Sequence, residues 1–141
     1  MKIVRIDRNS AKPGIKVVRV NHWEGKVRIQ RLVEADEGTD VYLGALFFEK
    51  GARTKPHVHE RGQVLLITKG KAIVATETAR RVLSAGEIAI TPAGVWHWHG
   101  ATKISSACQI SIRPSVGGVN WKVDEKNWPT PVVQNILLSS K

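Results

Sequence analysis

Turn-forming residues cut the middle of this chain into segments that are too short for helices. Polar or small residues mark breaks at Lys69-Gly70, Glu77-Thr78 and Ala85-Gly86, and Pro114 ends a long apolar stretch. The segments between these breaks are rich in residues branched at Cβ and lack a helical repeat of apolar positions, which is typical of β-strands. Short strands with frequent turns predict an all-β sandwich or barrel.

Nine stretches have the composition of strands. They are Ile3–Ile6, as a short edge strand, then Ile15–Trp23, Lys26–Glu34, Val41–Lys50, Gln63–Thr68, Lys71–Thr76, Arg80–Leu83, Glu87–Ile90 and Ile104–Arg113. We expect Ile15–Trp23 and Lys26–Glu34 to face the surface. Val41–Lys50 is apolar on both faces, with Leu46 and Phe48 on one and Ala45 on the other, so we expect it between two packed layers.

Four of the five histidines fall in two short segments, residues 51–70 and 86–101. His57 and His59 are two residues apart, and because alternate side chains of a strand point the same way, both can reach one ion. Gln63 begins the strand that returns from them, and His97 follows a separate Pro- and Gly-containing turn. Three imidazoles and one amide oxygen form a ligand set that divalent metals accept. The sequence therefore predicts one metal ion held by these four residues.

The remaining two histidines are not predicted to be ligands. His99 has the same strand parity as His97, so we expect it behind the metal ligands or in the core. His22 lies outside both segments and is expected to be a structural or surface residue.

Strand parity also predicts a small, largely apolar pocket beside the metal. Its wall is expected to include alternate residues of three strands, namely Gly44, Leu46 and Phe48, then Leu65 and Ile67, and finally Ser105, Ala107, Gln109, Ser111 and Arg113. Gln109 and Arg113 are the expected polar contacts for a small-molecule substrate. An equally good interpretation of Arg113 is a surface charge at the end of its strand.

Size and charge narrow the class of protein. A chain of 141 residues forms one domain, and 22 Lys and Arg against 12 Asp and Glu give a formal net charge of +10. The basic residues are spread evenly from Lys2 to Lys141, which favours a solvated surface over nucleic-acid binding. Neither a membrane-spanning run nor a signal-like N-terminus is visible, so we expect a cytoplasmic protein without a membrane partner. Cys108 is the only cysteine and is expected to be a buried thiol.

The two histidine segments carry a recognisable double motif. The pattern G-x5-H-x-H-x3-E-x6-G is matched by Gly51, His57, His59, Gln63 and Gly70, and G-x5-P-x-G-x2-H-x3-N by Gly86, Pro92, Gly94, His97 and Ala101. Every interval is kept, with Gln in place of Glu and Ala in place of Asn. The chain thus resembles a small single-domain cupin of the type-2 conserved-barrel kind.

The resemblance implies a double-stranded β-helix, or jelly-roll barrel, over residues 26–114. It also implies an N-terminal arm over residues 1–25, and a tail over residues 115–141 that packs on the barrel or on a partner subunit of a homodimer. Within that tail, Val132–Leu138 is compatible with either a terminal helix or an added strand.

Further residues resemble one cupin subgroup, which includes manganese-dependent hydroxynitrile lyases and has Gln in place of the Glu ligand. The resemblance favours Mn²⁺ or Fe²⁺, although the ligands also suit Ni²⁺, Co²⁺ and Zn²⁺. It makes Thr54 of the GART segment a substrate contact. In the lyase-type members a histidine on the last strand lies near the metal, whereas Gln109 stands here. Glutamine cannot act as a general base, which disfavours hydroxynitrile lysis by that route.

Three functional hypotheses follow. In the first, the metal polarises a small oxygenated or carbonyl substrate in a lyase or isomerase type of reaction. In the second, the protein resembles quercetinase-like dioxygenases, in which the substrate chelates the metal and meets O₂. The third hypothesis is a non-catalytic ligand-binding or sensor cupin, which is disfavoured because no regulatory domain accompanies the barrel. Oxygen uptake separates the first two hypotheses.

Overall fold

The computed structural model describes residues 1–14 and 22–121, and strands dominate this part of the chain. The strands are Lys12–Pro13 (β1), Trp23–Glu24 (β2), Val27–Val33 (β3), Val41–Phe48 (β4), Arg53–Thr54 (β5), His57–His59 (β6), Gln63–Thr76 (β7), Arg80–Ser84 (β8), Ile88–Thr91 (β9), His97–Ala101 (β10), Ala107–Pro114 (β11) and Val119–Trp121 (β12). Its helices are two 3-10 turns, Arg8–Ser10 and Ala35–Glu37. The prediction of an all-β fold is confirmed.

All the strand pairs are antiparallel, and together they form one curled sheet. Its main path runs β1-β3-β4-β11-β7-β10-β5-β2, while β8 and β9 pair with β7, and β6 lies between β10 and β12. The first half of β7 pairs with β11 and β9, and its second half with β10 and β8. This long strand therefore joins the two halves of the curled sheet around a common core. No helix in the described ranges has the length and apolarity to cross a membrane.

The structure corrects the prediction of two strands separated at Lys69-Gly70. β7 continues through this point, but Gly70 has a φ of +77°, and a Cβ atom there would lie 1.8 Å from the carbonyl oxygen of Ser106. The pairing register with β11 also shifts between Cys108 and Gln109. Gly70 thus allows a bend and a close backbone contact within one strand, rather than a hairpin turn.

Both faces of β4 pack against other apolar residues, as predicted. Leu46 and Phe48 contribute to the central core, while Ala45 belongs to a second cluster with Leu32 and Ile110 on the other side of the sheet. Buried Leu32 shows that β3 is only partly surface-facing, which corrects the expectation for Lys26–Glu34.

Other predicted boundaries also change. Residues 3–6 are not a strand, although the Gln30 side chain bonds the backbone of Arg5 and Asp7 and so fixes this segment to β3. β11 begins at Ala107 rather than Ile104, which leaves Ser105 in the preceding loop. Of the Ile15–Trp23 prediction only the end is described, and the helix-or-strand alternative for Val132–Leu138 lies outside the described residues. Cys108 is buried, as expected.

Candidate metal centre

Three histidines meet where β6 pairs with β10. His57 is the register partner of His97, and His59 lies on the same face of β6 two residues further on. One nitrogen atom from each of the three imidazoles lies within 4.8 Å of the other two, and all three side chains are buried. Alternation along β6 and antiparallel pairing with β10 therefore produce the predicted convergence.

Backbone carbonyl groups fix the ring nitrogen that two of the three histidines turn towards the cluster. The Nδ1 atom of His57 lies 2.8 Å from the carbonyl oxygen of Lys55, and that of His97 lies 3.0 Å from the carbonyl oxygen of Val95. Because a carbonyl oxygen only accepts hydrogen bonds, both Nδ1 atoms carry the proton. The Nε2 atoms are left with free lone pairs, which is the form that binds a metal.

The side chain of Gln63 places an oxygen atom beside the histidine cluster. Its Nε2 donates to the Ser111 hydroxyl at 2.7 Å, and its Oε1 lies 2.9 Å from the Nε2 of His97. Both of these facing atoms are acceptors, so a shared cation satisfies a contact that is otherwise unfavourable. The Nε2 of His59 is also buried without a hydrogen-bond partner in the structure. These atoms fit a metal ion.

The protein environment keeps the imidazoles neutral. Burial, followed by the charges of neighbouring histidines, lowers the pKa of His57 well below its usual value, and burial lowers the pKa of His97. Burial, reinforced by the charges of His97 and Arg113, lowers the pKa of His59 to about 4. Burial also lowers the pKa of His99 to about 3. Neutral imidazoles are ready to bind a metal near neutral pH.

A cavity of about 320 Å³ lies against this cluster. Gly44 and Leu46 of β4 form part of its wall, as predicted from strand parity. Leu65 and Ile67 lie instead in the core, fully buried, and Phe48 packs there against the His99 ring at 5.9 Å between ring centroids. The part of β4 that lines the cavity thus ends at Leu46, and Phe48 belongs to the core.

Thr54 lies between two of the histidines. Its hydroxyl accepts a hydrogen bond from the backbone N–H of His99 at 3.1 Å and lies 3.5 Å from the Nδ1 of His57. Thr54 also lines the cavity. It therefore packs between His57 and His99 at the cavity wall.

The positions of Gln109 and Arg113 differ from each other. Gln109 accepts a hydrogen bond from the Nδ1 of His99 at 2.7 Å, donates to the carbonyl oxygen of Gly100 at 2.8 Å, and is fully buried. It lies behind His99, so the expectation that it lines the pocket is not met. Arg113 does line the cavity, with its guanidinium 4.0 Å from the centroid of the Tyr42 ring.

Sequence reasoning missed an aromatic wall of the cavity. The rings of His22 and Trp121 stack in parallel with centroids 4.0 Å apart, and Trp121 lies 4.4 Å from the ring of His57. His22 therefore lies at the cavity rather than away from it. Tyr42 was also missed, although it is two residues from Gly44 and so has the same strand parity.

Comparison with known proteins adds a family match. The sequence profile of the cupin domain family matches residues 46–111. The chain is also 32% identical over 102 residues to the (R)-mandelonitrile lyase of Granulicella tundricola, an alignment that covers 70% of this chain and 78% of the lyase.

Solved structures show the same architecture. A cupin-like protein from Thermotoga maritima is 31% identical with a TM-score of 0.69, over 74% of this chain and 82% of its own. A polyketide cyclase from Streptomyces resistomycificus has a TM-score of 0.69 over 91% of this chain and 90% of its own, but at 18% identity this match shows the fold alone.

Proposed function

Because the chain belongs to the cupin family, among the small cupins similar to hydroxynitrile lyases, we propose that it is an enzyme that uses one divalent metal ion to polarise a small oxygenated or carbonyl substrate. The observation that carries the proposal is the convergence of three neutral, buried imidazoles and the Gln63 oxygen at the wall of a cavity. We propose Mn²⁺ or Fe²⁺ as the ion, on the resemblance to the manganese-dependent members.

Different residues are proposed to bind the metal and to surround the substrate. His57, His59, His97 and Gln63 would hold the ion, which would act as a Lewis acid on a carbonyl or hydroxyl oxygen. All four ligands are uncharged, so none of them reduces the positive charge that the substrate meets. Leu46 and other apolar residues of the cavity wall exclude water from the bound substrate.

His99 is the group that can accept a hydrogen bond from the substrate. Because its Nδ1 donates to Gln109, its Nε2 carries a lone pair, and the residue lines the cavity. Gln109 is thus a positioning residue that fixes the tautomer of His99. Thr54 and Arg113 are proposed to contact the substrate directly.

Metal content tests the ligand assignment. Protein purified without chelators should contain a stoichiometric transition metal by elemental analysis, and the His57→Ala and His97→Ala variants should lose most of it. His22→Ala is the matched control, since it removes an imidazole that lies at the cavity but outside the cluster. Full metal occupancy in the His57→Ala protein would overturn the assignment.

An activity screen tests the reaction class. The metal-loaded protein should convert at least one member of a panel of hydroxynitriles, diketones, lactones and small hydroxy or oxo carboxylates without consuming O₂. Oxygen uptake with flavonols or diketones would instead indicate a dioxygenase. Tight binding of a panel member without turnover of any would indicate a ligand-binding cupin.

We also propose that the protein forms a homodimer. Leu66 of the second apolar cluster is paired with Ile88 on β9, and Val64 is paired with Ile90. The two isoleucines are exposed by 55% and 75%. Burial of such a patch in an interface is favourable. Light scattering should give twice the mass of the chain, and Ile90→Asp should shift the protein towards monomer.

A further inference from the structure

The charge of the cavity is one-sided. Two arginines, Arg31 and Arg113, are among the described residues that line it, and no aspartate or glutamate is. The histidines at its base are neutral, and the fourth ligand is an amide rather than a carboxylate. A metal ion and two guanidinium groups would therefore face a bound molecule in a cavity whose described lining includes no carboxylate.

The fold places both guanidinium groups at one wall. Across the sheet, Arg31 of β3 is paired with Gly44 of β4, and Arg113 of β11 is paired with Tyr42. A Cβ atom on Gly44 would lie 2.8 Å from the Tyr42 hydroxyl, so the glycine leaves room for the phenol ring to lie along this wall. Arg113 in turn rests on that ring, 4.0 Å from its centroid.

The two arginines differ in whether a carboxylate already forms an ion pair with the guanidinium. Arg31 is largely exposed and forms an ion pair with Glu34 at 3.1 Å. Arg113 is partly buried, and in the part of the chain that the structure describes it has no ion pair with a carboxylate. Its contact with Tyr42 orients the guanidinium without neutralising it. Its hydrogen-bond donors are thus free to bind an anion.

We propose that the substrate of this site is a small carboxylate, whose anionic group is bound by Arg113 at the Tyr42 wall. A guanidinium presents paired donors that match the two oxygens of a carboxylate. The apolar wall at Leu46 and the ring of Trp121 receive an apolar or aromatic body, and the cavity of about 320 Å³ limits its size. This inference names the substrate class of the proposed metal site and rests on that function.

A pair of ligands that differ in charge but hardly in shape tests the inference. (R)-mandelate and (R)-mandelamide are titrated into the metal-loaded protein. The readout is calorimetry or the intrinsic tryptophan fluorescence, since Trp23 and Trp121 line the cavity. Mandelate should bind at least tenfold more tightly, and the preference should weaken as salt is added. Arg113→Gln should reduce the preference to nearly one, whereas Arg113→Lys should keep part of it.

The controls separate this inference from the proposed function. Arg5→Gln removes one positive charge from an exposed site outside the cavity and should leave the preference unchanged. Elemental analysis of each variant checks the metal, and the titrations are repeated after chelator treatment, where the preference should persist at lower affinity. If the protein contained no metal as purified and bound none when metal salts were added, yet still preferred mandelate, the proposed function alone would be contradicted. Equal binding of the two ligands, an unchanged preference in Arg113→Gln, or binding of neither would overturn the inference.

Discussion

Acid should destabilise the metal-free protein through its buried histidines. The folded-state pKa values of His57, His59, His97 and His99 are all lowered from the usual 6.5, chiefly by burial. The unfolded chain therefore binds protons more strongly than the folded protein. Each histidine has its full stabilising effect above its unfolded pKa, and that contribution is lost as the pH falls from there towards the folded pKa.

His99 gives the magnitude for a single site. Its pKa is lowered from 6.5 to about 3. Between pH of about 7.5 and about 5.5 the unfolded chain becomes protonated at this position while the folded protein does not, which costs about 1.4 kcal/mol of stability. The pKa of His59 is lowered to about 4, so this histidine adds a loss of the same order, and the lowered pKa values of His57 and His97 act in the same direction.

Urea unfolding in the presence of a chelator measures this loss directly. In His99→Asn the amide can still donate to Gln109 but cannot titrate, so the variant should lose about 1.4 kcal/mol less than the parent over the same interval. The comparison uses the change with pH within each protein, so a uniform destabilisation by the substitution does not matter. Equal losses in parent and variant would refute the view that His99 is a buried neutral group.

Two further predictions concern the metal and the fold. Gln63→Leu should weaken metal binding by about 10- to 100-fold in a chelator competition, because support for the metal is lost. Gln63→Glu should retain the metal. Equal metal affinities for Gln63→Leu and the parent would exclude the amide oxygen as a ligand. Gly70→Ala should destabilise the protein in urea by more than about 3 kcal/mol because its Cβ would meet the Ser106 carbonyl, while Gly86→Ala, which has a φ of +89° but open space around it, should cost only about 1 kcal/mol. Similar costs at both glycines would show that the backbone relaxes around residue 70.

The histidine cluster could be predicted because its geometry is mostly local. Alternation along a strand puts His57 and His59 on one face whatever the rest of the fold does. His97 is far away in sequence, and only the double motif indicated that its hairpin returns to the same place. The structure supplies the reason, since His57 and His97 are register partners.

How deep a side chain lies in the cavity could not be predicted from strand alternation. Strand parity correctly placed Gln109 and Arg113 on the inner face of β11, but parity does not say what lies in front of each side chain. His99 covers Gln109, whereas Arg113 lies closer to the mouth. The Trp121 stack depends on the pairing of β12 with β6, for which the sequence holds no local signal.

The protonation of the ligands connects the metal site to the charge of the cavity. His57 and His97 are each held by the carbonyl oxygen two residues earlier, at Lys55 and Val95, so no carboxylate is needed to fix their tautomers. An aspartate or glutamate in that role, or a glutamate in place of Gln63, would have offset part of the positive charge of an ion and of Arg113. A neutral substrate gains little from a site left so positive, whereas an anion gains from every one of these features.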